Sequence, residues 1–409
     1  HMGVYGIVAE YNPFHNGHQY QIEQIKSRDP KAFIIVIMSG YFCQRGEAAI
    51  LPPYSRAAMA LSCGADIVFQ LPTYAALGSA EIFAETAVIS LAKSGICQYL
   101  AFGSESDSLE ELQKIADLLI TEERTLWEYI EPQLKEGISY AKSRENFVSE
   151  KLGISFSQLL KKPNQVLAIE YLKAIKKYNL NLKPILIKRQ GSDYLQEGLS
   201  EDIFPSALAI REFLNKRKDN FLNVHDISYL QKFIPNKALA ILLDDWQNEI
   251  YLKENNLNMI YSLILENTNQ AKTRYLDQAL LNRLKKALRF SDDHYPSMDV
   301  LIKSAMTKQY PKTRVQRALS NLILNIEEKP NFQPQYLHLL GFTKQGRYLL
   351  KRMQDKTNLP IVSNFSDISN VLDKKELWQE NLELRASRFW LEIANQPINQ
   401  IFDSPLRMR

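Results

Sequence analysis

Gly6-Ile7-Val8-Ala9-Glu10-Tyr11-Asn12-Pro13-Phe14-His15-Asn16-Gly17-His18 joins an apolar run to two histidines spaced i, i+3. The run Val4 to Ala9 is short and apolar, as expected of a buried strand. Asn12-Pro13 marks a turn, and a helix is predicted from about Gly17 to Lys26. A strand that hands over to a helix N-terminus is a natural anion site, because free backbone N–H groups and the helix dipole point at the ligand. His15 and His18 can both donate to phosphate oxygens there, and Gly17 between them lets backbone approach a ligand closely. Two histidines near a turn are more often surface residues. The preceding strand and turn favour nucleotide binding instead.

Working outward, the chain has 409 residues, more than one typical core holds, so two or three domains are expected. Hydrophobic residues make up 45% and charged residues 23%, the balance of a soluble globular protein. The net charge of +4 is compatible with a polyanionic partner without requiring one. Cys43, Cys63 and Cys97 are scattered, which fits a reducing compartment and lacks the paired spacing a zinc site needs, so no metal ligands are assigned. No run of about 18 uninterrupted apolar residues exists, so no membrane span is expected. The first apolar run leads directly into the histidine motif and does not read as a signal peptide, so a cytoplasmic location is expected.

The first half alternates strand and helix patterns. Strands are predicted at Val4–Ala9, Phe33–Met38, Asp66–Leu71, Gln98–Phe102 and Lys183–Lys188, with helices between them at Gly17–Lys26, Ser55–Cys63, Ser79–Lys93, Leu109–Ile120 and Asn164–Lys177. Apolar strands separated by helices imply a Rossmann-like α/β domain, a parallel sheet covered on both faces. The charged, helix-prone stretch at about 122–154 reads as an insertion over the sheet. From about residue 219 helix-period segments dominate (Lys237–Gln247, Asn258–Asn267, Thr273–Phe290, Thr313–Ile326), and strand alternation is scarce until Pro360–Ser363. The expected organisation is an α/β domain over 1–218, followed by a mainly α-helical domain over 219–409.

Ligands of open parallel sheets bind beyond the carboxyl ends of the strands, so the segments after each strand are the candidates. After the second strand comes Met38-Ser39-Gly40-Tyr41-Phe42-Cys43-Gln44-Arg45-Gly46-Glu47, where two glycines flanking an arginine suit either a flexible, anion-facing loop or an ordinary turn. After the fourth comes Phe102-Gly103-Ser104-Glu105, where glycine permits close contact with a base or ribose, or simply ends the strand. Asn164 lies at a helix start, as a cap, a nucleotide contact or both. Lys188-Arg189 ends the fifth strand, where a cation can meet a triphosphate. Ser206 suits an N-cap, and Arg211 a solvated helix position or a phosphate contact.

Asn12-Pro13-Phe14-His15-Asn16-Gly17-His18, Met38-Ser39-Gly40 with Gln44-Arg45-Gly46-Glu47, Gly64-Ala65-Asp66, Leu71-Pro72, Phe102-Gly103-Ser104-Glu105, Pro163-Asn164, and Ser206-Ala207 with Ile210-Arg211 occur together in this order. This set resembles the tRNA(Met) cytidine acetate ligase family of the HxGH nucleotidyltransferase superfamily. The similarity continues through Thr313-Arg314-Val315-Gln316-Arg317 and Leu339-Leu340-Gly341-Phe342, and so covers most of the chain. The resemblance implies activation of acetate with ATP, then transfer of acetyl to the 4-amino group of the wobble cytidine in elongator tRNA(Met). By residue-level match, the nucleotide site would take Val8, Asn12, Pro13, Phe14, His15, Gly17 and His18, with Gly103, Asn164, Arg189, Gln190 and Ser206. His15, His18 and Arg211 would serve catalysis, and Arg189 would help to neutralise the departing pyrophosphate. Three positions depart from the family pattern: Pro53 stands in place of a lysine, Gln70 in place of a glutamate, and Leu195 in place of a histidine. The missing lysine and histidine are expected to weaken phosphate or tRNA contacts.

Mg²⁺ is expected to ride on the ATP phosphates rather than in a protein cage. The helical half would hold the tRNA through cations that include Arg283, Lys286, Arg314, Arg317 and Arg347, with Tyr310 and Tyr348 interleaved, although such side chains are commonly just solvated. No obligatory protein partner is evident. Two other classes stay open: an adenylyltransferase acting on a small metabolite, and a non-catalytic RNA-binding protein with a relict nucleotide fold.

Overall fold

The computed structural model describes residues 2–106, 108–189, 206–217, 221–402 and 404–408. Its strands are β1 (Val4–Ala9), β2 (Phe33–Ser39), β3 (Phe42–Cys43), β4 (Glu47–Ala48), β5 (Ile67–Leu71), β6 (Tyr99–Ser104), β7 (Lys183–Lys188), β8 (Leu337–Phe342), β9 (Ile361–Val362) and β10 (Leu406–Arg407). The main sheet has the order β10-β8-β5-β2-β1-β6-β7, with β9 beside β8. Strands β5, β2, β1, β6 and β7 are mutually parallel, with β1 at the centre and Val4 to Ala9 in register with Phe33 to Met38. Every residue of β2 is buried, as expected of a strand covered on both faces. The helices Asn16–Arg28, Pro53–Ser62 and Asn236–Gln247 contribute to the core on one face, and Ala80–Lys93, Leu109–Thr121 and Pro163–Lys177 to the core on the other. All five predicted strands and the five helices predicted between them are present within a few residues of their expected bounds.

Two expectations are corrected. Strand alternation was expected to be scarce beyond 219, yet β8 joins the sheet antiparallel to β5, and β10 then adds to β8. Five of the six β8 residues are buried, so the strand carries no polar–apolar alternation to betray it. The sheet therefore draws strands from both sides of the expected 218/219 boundary. The helix expected over Thr273–Phe290 spans only Gln278–Arg289: Asp277 caps it through Leu280 N–H, and Tyr275 has a left-handed φ of 65°. The segment read as an insertion forms the helices Glu123–Lys135 and Tyr140–Leu152. Its buried Arg144 pairs with Glu170, which Lys173 also meets at 2.8 Å, so it is anchored to the helix Pro163–Lys177. No helix among the described residues is long and apolar enough to cross a membrane.

The carboxyl ends of the strands are fastened by one side chain. Arg56, in the helix Pro53–Ser62, is fully buried and donates to three carbonyls, those of Leu51, Glu10 and Gly40. Glu10 follows β1 and Gly40 follows β2, so the guanidinium sets the distance between the two strand exits. Beyond Gly40, β3 and β4 form a tight hairpin rather than a flexible loop. Gly46 has φ of 83°, and a Cβ there would lie 2.5 Å from the backbone nitrogen of Arg317. Ser320 Oγ donates to the Gly46 carbonyl at 2.7 Å, which docks the hairpin on the helix Lys312–Ile323. Replacing Arg56 with Met leaves three carbonyls without their donor. Arg56→Met should therefore lower stability by about 3 kcal/mol or more, read as the shift in a urea denaturation midpoint at constant m-value.

Candidate active site

The helix Asn16–Arg28 starts on a pair of histidines that cap each other's backbone. Gly17 N–H donates to His15 Nδ1 at 3.0 Å, and His15 N–H donates to His18 Nδ1 at 3.2 Å. This is a capping box built from imidazoles, where Ser and Glu more commonly serve. Each ring spends Nδ1 as an acceptor, so each neutral ring carries its proton on Nε2. The rings are stacked with centroids 3.7 Å apart, and Tyr11 and Phe14 pack against His18. Burial, then the charges of Arg189 and Arg211, pushes His15 down to about 3. Burial, then His15 and Arg189, holds His18 well below the usual histidine range. Both rings are thus neutral donors at physiological pH.

Gly17 also has a steric reason within the motif. A Cβ at this position would lie 2.8 Å from His15 Cε1, so glycine leaves room for the capping ring itself. Asn16 was not singled out from the sequence, although it sits inside the motif. Its N–H donates to the Phe233 carbonyl at 2.8 Å and its Nδ2 to the Lys232 carbonyl at 2.9 Å, tying the motif to a loop of the second half.

Arg211 reaches the motif from the helix Ala207–Asn215, donating to the Asn12 carbonyl at 2.7 Å and to Glu47 Oε1 at 2.5 Å. Ser206 caps that helix by accepting from Ala209 N–H. The Asn12 side chain accepts from Ile50 N–H at 2.8 Å, while its Nδ2 is buried without a partner. Glu10 accepts from Gln44 N–H at 2.6 Å, and burial raises its pKa. The hairpin and the histidine turn are thus linked through Glu10, Glu47 and Arg211.

On the other flank Gly103, Arg189 and Asn164 come together around Glu105, which sequence reasoning quoted without giving it a role. A Cβ at Gly103 would lie 3.2 Å from Arg189 Cγ, Arg189 Nε is 3.7 Å from Glu105 Oε1, and Asn164 Nδ2 donates to the same oxygen at 2.7 Å. Asn164 is not a helix cap: Lys162 holds that position, and Asn164 lies inside the first turn with its amide on Glu105. Val8, Pro13 and Phe14 belong to β1 and the turn after it. Gln190 and Leu195 lie outside the described residues. Pro53 occupies the first position of its helix, where a missing N–H costs nothing. Gln70 donates to the buried carboxylate of Glu383 at 3.1 Å.

The five residues expected to hold RNA do not form one patch. Arg283 donates to the Ala305 carbonyl, Arg314 pairs with Asp277 at 3.1 Å and stacks on Tyr310, and Arg317 is partly buried over Tyr275. Lys286 is exposed, and Arg347 lies on the helix Lys344–Gln354, away from the bundle that carries the other four. Periodicity showed these cations to be on helices. It could not show which were already committed to carbonyls, carboxylates and rings.

The depressed histidines give a pH prediction. The unfolded chain binds a proton to each ring below its ordinary value of about 6.5, and the folded chain does not, so stability is full above that pH and is lost as pH falls below it. Between pH 7 and 5 the loss from His15 should be about 2 kcal/mol. His15→Asn keeps a capping acceptor that does not titrate, and its denaturation midpoint should fall less over the same range. Parallel pH profiles for the two proteins would show that His15 is protonated in the fold without cost.

Three comparisons bear on this site. The model of the family described as HIGH Nucleotidyl Transferase matches residues 2–403. A tRNA(Met) cytidine acetate ligase of Acetivibrio thermocellus is 34% identical, over 97% of this chain and 96% of that protein. One of Caldanaerobacter subterraneus subsp. tengcongensis is 33% identical, over 93% of each. The crystal structure of Thermotoga maritima TmcAL superposes with a TM-score of 0.89 at 27% identity over 100% of both chains, and the form bound with alpha-thio ATP with a TM-score of 0.87. The α/β sheet, the paired histidines at its first helix and these full-length likenesses agree: the chain belongs to the HIGH nucleotidyltransferases and, among them, to the tRNA(Met) cytidine acetate ligase family.

Proposed function

We propose that this protein activates acetate with ATP to give acetyl-adenylate and pyrophosphate, and passes the acetyl group to the N4 amine of the wobble cytidine of elongator tRNA(Met). The observation that carries this reading is the histidine capping box, which leaves two neutral Nε2–H donors at a helix N-terminus with Arg189 and Arg211 as electrostatic neighbours. An acetate oxygen attacks the α-phosphorus, and the bond to the bridging oxygen breaks as pyrophosphate leaves in line. Both histidines donate to phosphate oxygens as charge builds on them, and need give up no proton to do so. Arg189 and Arg211 neutralise the leaving pyrophosphate, and Asn164 holds Glu105 and with it the Arg189 flank. In the second step the cytidine amine attacks the acetyl carbonyl, AMP leaves, and the amine loses a proton.

Mg²⁺ would supply phosphate charge neutralisation. Glu10 and Glu47 are already engaged by Gln44 and Arg211, so this donor set fits an ion carried by the phosphates and not by a protein cage. A tRNA substrate implies a cytoplasmic site of action.

Pyrophosphate release from ATP tests the reading. Release should require acetate and should proceed without tRNA, with labelled acetyl reaching tRNA(Met) when it is added. Release indifferent to acetate would point to transfer of AMP onto another metabolite, and no release at all to a relict fold. His18→Ala should slow release by ~10²–10³-fold, the usual loss for one transition-state donor, with a smaller change in ATP affinity. Near-normal turnover in that variant would remove the histidines from the chemistry.

A further inference from the structure

The helix Lys344–Gln354 presents Lys344, Arg347, Tyr348 and Lys351 on its exposed side, with Arg352 beside them. Its other side, Gly346, Leu349 and Met353, is buried. The Arg352 guanidinium sits 5.8 Å from the Tyr348 ring centroid, and that tyrosine is 50% exposed, enough for one face to meet a ligand. None of the four cations forms an ion pair or a side-chain hydrogen bond among the described residues. On the helices of the bundle several cations are spent internally, Arg283 on Ala305, Lys285 on the carbonyls of Glu266 and Thr268, and Arg314 on Asp277, while Lys286 and Arg289 stay exposed.

This helix is held rigidly. Thr343 caps it by accepting from Gly346 N–H, and Thr343 N–H donates to the Asp66 carbonyl at 3.0 Å. A Cβ at Gly346 would lie 2.0 Å from the same carbonyl, so the helix touches the chain just before β5. Tyr348 packs on Phe33 at the start of β2, and the Lys356 carbonyl lies against Gly95, shortly before β6. The helix therefore crosses the amino-terminal ends of the parallel strands. Arg28 and Lys31 are exposed at the same end, and neither forms an ion pair among the described residues. The nearby carboxylates are occupied: Asp29 accepts from Gly3 and Lys31 N–H groups, and Asp66 from Ile34 N–H and Thr343 Oγ1. Asp355, at the C-cap, is exposed.

The histidine site lies at the opposite ends of the same strands, about 20 Å away at 3.3 Å per residue over β1 and β2. A group reacting there cannot touch this helix. A ligand that fills both must be a long polyanion. We propose that the exposed face of Lys344–Gln354 binds the phosphate backbone of the body of a folded RNA, whose reactive loop enters the histidine site at the other end of the sheet. This inference rests on the RNA-modifying reading above. A membrane surface has the same charge, but this helix buries its apolar side and offers a bilayer only one ring.

The test compares two RNAs, full-length tRNA(Met) and its anticodon stem-loop alone, with the variant Lys344→Gln/Lys351→Gln/Arg352→Gln. Binding is measured by fluorescence anisotropy across a salt series. For full-length tRNA the variant should lose affinity on the order of tenfold, and the log–log salt slope should fall by roughly one per lost phosphate contact. For the stem-loop the variant and the parent should match. Lys344→Arg/Lys351→Arg, which keeps the charge, should bind both RNAs like the parent. Equal weakening for both RNAs, or weakening for neither, overturns the proposal, as does an effect confined to vesicles of anionic lipid. The two readings fail separately: a parent that binds tRNA at this face but transfers no acetyl leaves the surface standing and removes the proposed reaction.

Discussion

Three backbone carbonyls converge on the Arg56 guanidinium, and the rest of the site is arranged around that point. They come from the exit of β1, the exit of β2 and the turn before the arginine's own helix. A parallel sheet offers a ligand only the ends of its strands, so the spacing of neighbouring exits fixes what can be assembled there. Burial costs the guanidinium much of its hydration, and carbonyl oxygens replace it. Because the acceptors are backbone atoms, the clamp is independent of the side chains at those positions. Those side chains are then available to the turn, as with Glu10, which reaches across to Gln44.

From the β1 exit the histidines use their two ring nitrogens differently. Nδ1 belongs to folding, since it terminates the helix and fixes the ring. Nε2 carries the ring proton and is the atom to which the proposed reaction assigns phosphate contact. A serine could cap equally well, but would leave no second ring nitrogen to donate, and a lysine could donate but would not cap. Burial that would be a liability for a charged group here keeps the rings neutral, and the N–H groups donated to Nδ1 define their tautomer. Arg211 completes the arrangement from the second segment of the site, joining the Asn12 carbonyl to the Glu47 carboxylate.

The order of strands and helices in the first half was legible because it rests on local pattern: apolar runs at β1, β2 and β5, and helix periods between them. The histidine motif was legible for the same reason. What was hidden depends on partners distant in sequence. β8 lacks alternation because both its faces are covered, and nothing local announces that its neighbour is β5. Gly17 was read as ligand-facing and the Gly46 loop as flexible or an ordinary turn, and nothing local showed that one makes space for a ring and the other for a helix backbone. Asn164 was read as cap or ligand contact, and Glu105 now stands between those alternatives. Arg317 shows the limit most plainly, because a cation on a helix pattern does not disclose that Tyr275 and the hairpin at Gly46 lie against it.

The pairing of β8 with β5 has a consequence during biosynthesis. Val68 waits for Gly341, and Ile67 for Phe342, so on the ribosome the edge of β5 is bare while most of the chain is being made. All five β5 residues are buried in the finished fold, and such an edge is a template for strands of other chains. The nascent protein thus carries its histidine turn early and its protective strand late. The edge stays bare while residues 72 to 342 are made, so exposure to aggregation grows with the time needed to synthesise that stretch.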